Sequence, residues 1–436
     1  MTMDNLISLF GIIVLLGVAF VLSEDKKRMN ARLILCGLGL QSLTAFFIFR
    51  VPAGAKLFLV LNDLVVKVLD SATVGARFVF GRLALPPEAV NEAGEGSLGF
   101  ILAFQGFPTI IFFSSLVSVL YFCNIMPRVI RAFAYVFTKL MRVSGAESMV
   151  AAGNIFLGIE SALTVKPHLK DMTRSEACAI LTVGMATVAS NVMALYVFSL
   201  RDVFPTIAAH LISASLLSAP AALVISKIMV PEAGQPATLG EHIQPFYERE
   251  KTLFEAVING ANAGVQMIVG IVALLIAVMG LTALADLFLG LAGSKLNALF
   301  GLGIDWSLKG LLGYLFYPFT LILGVPLEEA GAISRIIGER AILTEVVAYQ
   351  DLHAAIASGA ITHPRSIVVT AYALCGFAHV ASMAIFVGGT SALAEEKRGV
   401  LAAVAPRALV AATLACLMTA CVAGALFTDQ AFLLGG

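Results

Sequence analysis

The sequence predicts an all-α membrane protein, and three observations carry that prediction. Of the 436 residues 59% are hydrophobic and only 13% charged, with a mean hydropathy of +0.94. A soluble chain of this length needs far more polar surface. Apolar runs of spanning length recur along the chain, separated by short basic or acidic clusters. Finally, Gly158-Ile159-Glu160-Ser161-Ala162 and Thr344-Glu345-Val346-Val347-Ala348-Tyr349 each set a carboxylate inside an apolar region, in opposite halves of the chain. A carboxylate at that depth is costly unless it faces a partner or a watery cavity, and it marks a functional site by default. Two such sites in two similar halves suggest a carrier with its substrate between repeats.

The first apolar run, Leu6 to Leu22, follows a short segment without Lys or Arg and precedes Glu24-Asp25-Lys26-Lys27-Arg28. That is the reverse of a signal peptide's basic start. We read it as a retained span with a periplasmic N-terminus and with Lys26, Lys27, Arg28 and Arg32 in the cytoplasm. A second span covers Leu33 to Phe49. From Lys56 to Val79 apolar residues keep helical spacing but Lys56, Asp63, Lys67, Asp70 and Arg77 interrupt them, as in a helix lying in the interface. Leu83 to Ser97, with Pro86-Pro87, reads as a periplasmic loop. Phe100 to Met126 is an uncharged span ending at Arg128, Arg131, Lys139 and Arg142. Ser144 to Leu163 is too rich in Gly and polar residues to face lipid and suits a re-entrant hairpin buried in protein. Ala177 to Phe198 is apolar but broken at Thr187, Ala189, Ser190 and Asn191. Ile207 to Met229 is another span.

The second half restates this order. Asn259, Asn262 and Gln266 lead into a span over Val265 to Leu284. Gly310 to Pro326 reads as the second hairpin. Ile333 to Tyr349, with Arg335, Glu339, Arg340 and Glu345, is too charged for a lipid-exposed helix. Val368 to Val387 is a broken span holding Gly376 and His379, and Leu401 to Leu426 closes the chain. The expected organisation is 1–126, spans and interfacial helix on the scaffold side; 127–232, the first hairpin and broken helix; 233–257, a polar linker; and 258–427, the second half.

Composition excludes some functions. Lys plus Arg and Asp plus Glu both number 28, so net charge is zero and nucleic acid is not an expected partner. The six cysteines lie scattered in apolar segments without metal-ligand spacing and read as small apolar residues. A membrane enzyme acting on a nucleotide or lipid needs a catalytic constellation, and no zinc HExxH, GxSxG elbow or P-loop occurs. A receptor that binds without transporting remains the other alternative.

Several motifs together resemble the concentrative nucleoside transporters of the bacterial NupC-like branch. They are Gly75-Ala76-Arg77-Phe78-Val79-Phe80-Gly81, Pro108-Thr109-Ile110-Ile111-Phe112-Phe113, Val143-Ser144-Gly145-Ala146-Glu147-Ser148, Asn154-Ile155-Phe156-Leu157-Gly158, Met172-Thr173-Arg174-Ser175-Glu176, Lys227-Ile228-Met229-Val230-Pro231-Glu232, Gly324-Val325-Pro326, Thr344-Glu345-Val346-Val347-Ala348-Tyr349 and Ala373-Leu374-Cys375-Gly376-Phe377-Ala378-His379. The resemblance implies an inverted-repeat, elevator-type homotrimer in the inner membrane, embedded in lipid, with two re-entrant hairpins and two broken helices. It implies symport of nucleosides or nucleoside-like compounds with sodium or protons, and no organic cofactor.

The resemblance also implies the site. Where the family usually has Gly-Gln-Thr/Ser-Glu, this chain has Gly158-Ile159-Glu160-Ser161. With a one-residue gap Glu160 takes the family carboxylate position; without it Ser161 does, and Glu160 is new. In either register Ile159 removes a base-reading amide. Glu345 keeps the second-half carboxylate at a ribose-site position. Phe377 and Ser382 are retained, and His379 replaces an amide near the ribose. Asn154, with Thr187 and Val188 on the broken helix, matches the sodium-site region, where amide, hydroxyl and carbonyl oxygens suit a hard cation.

Overall fold

The computed structural model describes residues 2–87, 89–91, 94–247 and 249–428, except the side chain of Ile159. Among these residues the secondary structure is helical, with no β-strand. The N-terminal helices are α1 (Met3–Val21), α2 (Ala31–Arg50) and α3 (Pro52–Phe80), followed by the single turn α4 (Leu102–Gln105). Side chains of Thr2 and Asn30 cap α1 and α2, and Pro52 starts α3 where its missing N–H costs nothing. α3 buries one face through Phe58, Asn62 and Leu69 and leaves Phe78 92% exposed. That is the amphipathic pattern expected of an interfacial helix.

Two runs of helices then follow the same order. The first comprises α5 (Phe107–Phe122), α6 (Ile125–Met141), α7 (Gly145–Asn154), a 3-10 segment (Ile159–Asp171), α8 (Arg174–Ala186), α9 (Ser190–Leu200) and α10 (Ile207–Met229). The second comprises α11 (Leu253–Phe300), α12 (Leu308–Ile322), α13 (Leu327–Arg340), α14 (Glu345–Ala357), α15 (Pro364–Leu374), α16 (Val380–Leu393) and α17 (Arg398–Leu426). In each run a hairpin ends inside the protein against the break of the next helix pair. The amide of Ser190, first in α9, donates to Phe156 O at 3.1 Å; the amide of Val380, first in α16, donates to Ala341 O at 3.3 Å. The two contacts are pseudo-symmetric, so the hairpin tips are 155–158 and 341–344.

Capping boxes fix the hairpin side of the first run. Ser144 and Glu147 exchange bonds at the start of α7, and Thr173 and Glu176 do so at α8. Lys227 of α10 is 8% exposed and pairs with Glu147, buried at 2%, which ties the outer leg of the first hairpin to α10. Among the described residues seven helical stretches are long and apolar enough to cross a membrane: those over Met3–Val21, Ala31–Arg50, Leu102–Phe122, Arg174–Leu200, Ile207–Met229, Leu253–Phe300 and Glu395–Leu426.

The structure corrects four expectations. The second hairpin is α13 and α14, not Gly310 to Pro326, which is mostly the continuous helix α12. Ile333 to Tyr349 is therefore two helices meeting at the tip. The span expected over Phe100–Met126 runs from Leu102 to Phe122, with helical backbone at Gly106, and Met126 belongs to a separate helix, α6, that buries it together with Ile130 and Phe137. The Val265–Leu284 span is the middle of a 48-residue helix, about 72 Å long, that begins at Leu253 inside the expected linker. The rest of that linker does not hang free. It docks on the first hairpin, with Gly145 N donating to Thr238 O and Phe246 N to Thr164 O, both at 2.8 Å.

Candidate functional site

Between the hairpin tips, the helix breaks and α11 lies a cavity of about 140 Å³. Its walls bring together Gly158 and Glu160 of the first tip, Thr344 and Glu345 of the second, and Phe377, His379 and Ser382 of the second break. Met267, Ile271, Leu274 and Leu275 of α11 close the remaining side. The cavity meets a wider vestibule of about 410 Å³ at Gly158, Glu160 and Met267. Phe246, Tyr247 and Arg249 of the docked linker frame that vestibule.

Glu345 is the first residue of α14 and is 4% exposed. Position at a helix N-terminus favours a carboxylate through the helix dipole. Tyr196 of α9 donates to its Oε1 at 2.6 Å. Tyr196 is itself fixed by stacking on Tyr349, with ring centroids 4.5 Å apart. Oε2 lies 2.8 Å from His379 Nε2, within ion-pair range but without an aligned hydrogen bond. The neighbouring Thr344 Oγ1 is also buried without a partner among the described residues. The carboxylate thus has Tyr196 on one oxygen and His379 beside the other, while the Thr344 hydroxyl next to it keeps its hydrogen-bonding capacity at the cavity wall.

His379 is the N-cap of α16. Its Nδ1 accepts from Ser382 N at 3.2 Å, and Nε2 lies 2.7 Å from Ser382 Oγ. An accepting Nδ1 assigns the proton of the neutral ring to Nε2, the nitrogen beside Glu345. Histidine here is a cap and an orienting group together.

The first-half side differs. Glu160 is exposed to the cavity and vestibule and is held by one bond, from Gly158 N to its Oε2 at 3.2 Å. Ser161 does not line the cavity. It is 1% exposed, and its hydroxyl turns to the Asn154 carboxamide. With the amide nitrogen inward, Asn154 donates to Gly158 O at 3.0 Å and to Leu157 O and Ser161 Oγ at 3.2 Å. Thr187 and Val188 are buried at the break between α8 and α9, where Thr187 Oγ1 donates back to Val183 O at 3.0 Å. Ile159, expected as a site residue, has a side chain outside the described ones.

Comparison with known proteins places this geometry in a family. Residues 10–83 match the N-terminal and residues 210–424 the C-terminal part described as Na+ dependent nucleoside transporter; residues 103–203 match a region described as nucleoside recognition. The nucleoside permease NupC of Helicobacter pylori is 35% identical over 97% of this chain and 98% of its own length. The chain belongs to the sodium-dependent nucleoside transporter family. Mouse solute carrier family 28 member 3 is 34% identical, and this chain spans 59% of its length. Among solved structures, CNTnw in an inward-facing substrate-bound state superposes with a TM-score of 0.85 at 32% identity, covering 97% of this chain and 98% of that one. These relatives are named as transporters and permeases, so the family is one of carriers and not of enzymes.

Within a nucleoside transporter family the cavity residues gain chemical sense. Sequence reasoning reached Glu160, Glu345, Phe377, His379 and Ser382, and the fold brings all five to one cavity. It missed Tyr196, which looks in sequence like any aromatic residue in an apolar run. It also missed α11 as a wall and the linker as a vestibule frame.

Proposed function

We propose that this protein carries nucleosides or nucleoside-like compounds across the inner membrane, driven by a sodium gradient, by elevator motion of a mobile domain. One observation carries the reading. The Glu345 carboxylate and the unpartnered Thr344 hydroxyl line a cavity whose other wall bears Glu160 from the opposite half. A carboxylate accepts from two hydroxyls, the natural way to read a ribose. In this reading Glu345 binds the sugar, His379 and Ser382 hold that end rigid, Phe377 packs against the substrate, and Glu160 faces the base. Without the family's amide at Ile159, base selection relaxes.

Asn154, Thr187 and Val188 form the proposed sodium site, joined by Ser161, whose hydroxyl turns to Asn154 and away from the cavity. The all-oxygen environment of the Asn154 carboxamide supports it, since hard cations take amide, hydroxyl and carbonyl oxygens. Binding of the ion links the first tip to the break beside it, which organises the cavity wall.

Orientation follows from the basic end. Glu24 N bonds Met229 O, Arg28 reaches Ala233 O and Lys397 reaches Met172 O, so these loops share one end of the molecule. We assign it to the cytoplasm by its basic residues, with the N-terminus periplasmic. The docked linker that frames the vestibule joins this end. α11, with Ile276, Leu281, Leu287 and Phe288 all exposed, offers the apolar face for a homotrimer and its lipid. The mobile unit comprises both hairpins and both broken helices; α3, α5 and α11 belong to the scaffold.

The test is counterflow of labelled nucleosides in proteoliposomes with sodium and proton gradients imposed separately. Accumulation under sodium is expected. Binding without accumulation under either gradient returns the protein to a receptor; accumulation under protons alone removes the sodium assignment.

A further inference from the structure

The two hairpin tips dock by the same backbone contact, yet they end on different residues. α7 ends on Asn154, whose carboxamide meets carbonyl and hydroxyl oxygens. α13 ends on Arg340. Arg340 is wholly buried, with 0% exposure. Its Nη1 donates to Ala373 O at 2.6 Å, while Nε and Nη2 find no oxygen partner among the described residues, and the guanidinium otherwise meets the Cys416 thiol. Among those residues no carboxylate pairs with it. A guanidinium buried with two nitrogens lacking an oxygen partner is costly unless its charge itself is needed.

The surroundings supply that need. α8 ends at Ala186 and α15 at Leu374, and their C-terminal carbonyls meet inside the protein. Cys416 Sγ bridges the two ends, 3.7 Å from Ala186 O and 3.5 Å from Cys375 O. A side chain on Gly376 would come within 2.9 Å of Ala186 O, so the ends are in close contact. Each helix C-terminus carries a partial negative charge of roughly half a unit. Two of them converging away from water attract a cation. Discontinuous helices in transporters place coupling ions at such carbonyl ends.

We propose that Arg340 is a tethered substitute for a coupling cation. Its guanidinium supplies at the second hairpin tip the positive charge that an inorganic monovalent cation supplies at the first. The first half keeps an exchangeable site, and the second half carries its own ion. Transport then moves one cation with each substrate, and the second tip stays closed against its helix break whether or not sodium is bound. The inference rests on the proposed sodium site at Asn154.

The test uses full-length reconstituted protein and nucleoside binding measured against sodium concentration. Wild type is expected to give a Hill slope of about one, and Arg340→Lys the same. Arg340→Gln is expected to bind substrate about tenfold more weakly at the same sodium concentration, with the slope rising toward about two. Millimolar guanidinium ion is expected to restore its affinity without changing wild type. A folded Arg340→Gln with the wild-type slope and affinity overturns the proposal, as does Arg340→Lys behaving like Arg340→Gln. If Arg340→Gln assembles poorly, its melting temperature is read instead. A rise with guanidinium or sodium larger than in wild type supports the proposal, and no such rise overturns it. An Asn154→Leu protein separates the two readings. Unchanged sodium dependence there removes the Asn154 site alone, and Arg340 is then judged by guanidinium rescue.

Discussion

Glu345→Gln tests the proposed sugar site most directly. The change is isosteric. The glutamine oxygen still accepts from Tyr196, now 2.6 Å from Oε1, but a neutral carboxamide replaces the charged carboxylate at the cavity wall, with an NH2 in place of Oε2. A substrate hydroxyl then meets a donor where it had a charged acceptor. Hydrogen bonds to charged groups contribute about 1.5–3 kcal/mol. The expected loss is therefore roughly 10–150-fold in Kd. Folding should not suffer, because a buried charge is removed and the Tyr196 bond is kept. The assay is equilibrium binding of a labelled ribonucleoside at saturating sodium, beside a thermal melt. Repeating it with 2′- and 3′-deoxy analogues gives a double-mutant cycle between protein and ligand. If Glu345 holds a ribose hydroxyl, the losses from the two deletions overlap for the analogue lacking that hydroxyl. Fully additive losses for both analogues, or a ribonucleoside Kd within about threefold of wild type, would refute the reasoning.

Tyr196→Phe removes the donor to Glu345 Oε1 but keeps the ring stacked on Tyr349. It is expected to destabilise the protein by about 1–3 kcal/mol in denaturant melts, because a buried carboxylate oxygen loses its partner. His379→Leu, which removes the α16 cap, is expected to cost about 0.5–2 kcal/mol, whereas His379→Asn supplies one of the best capping side chains and should cost far less; equal melting temperatures for the two would disprove the capping role. At the basic end the hydrogen bond from Arg174, helped by the charges of Arg174 and Arg407, holds the Glu24 carboxyl below its ordinary range against partial burial. A lowered folded value adds stability above the unfolded carboxyl range of about 4.3, and that stability is lost as pH falls through the folded value. Glu24→Gln should therefore flatten the acid limb of a melting-temperature profile, by about 0.2–1 kcal/mol for so exposed a network. Finally, competition by a series of purine and pyrimidine nucleosides should span a narrower range than a hydrogen-bonding base site allows, since Glu160 is held by a single bond; a steep preference for one base counts against it.

Most of the fold was legible because lipid imposes a simple code. Apolar runs of spanning length, basic ends and polar interruptions gave the spans, the first hairpin and both broken helices. The second hairpin was misplaced for a specific reason. Gly310, Gly313 and Pro318 look like breakers, yet α12 runs through all three, with both glycines packed against Asp305 and Arg335. The true tip, Ala341-Ile342-Leu343-Thr344, contains neither Gly nor Pro. It turns because Leu343 N bonds back to Glu339 O and the buried Arg340 anchors the end of α13 to Ala373 O, and sequence spacing shows neither contact. α11 was cut short because Asn259, Asn262 and Gln266 suggested an interface, whereas they are part of one continuous helix. At the site, residue types were legible and partners were not. The Glu345 carboxylate declares itself by its setting, but its donor Tyr196 is 149 positions away.

The internal repeat was invisible residue by residue for a related physical reason. What the two halves share is a backbone arrangement, a tip carbonyl receiving the first amide after a helix break, and any residue supplies those groups. Side chains at the two tips were therefore free to diverge toward different tasks. The first tip presents Asn154, Glu160 and Ser161, the groups proposed above to meet ion and base. The second presents Arg340 and Glu345, buried and braced by Tyr196, Tyr349 and the α15 carbonyls. A carrier needs one wall of its cavity to respond to ion and substrate and the other to keep its shape. The sugar, common to all nucleosides, suits the braced wall, and the variable base suits the responsive one.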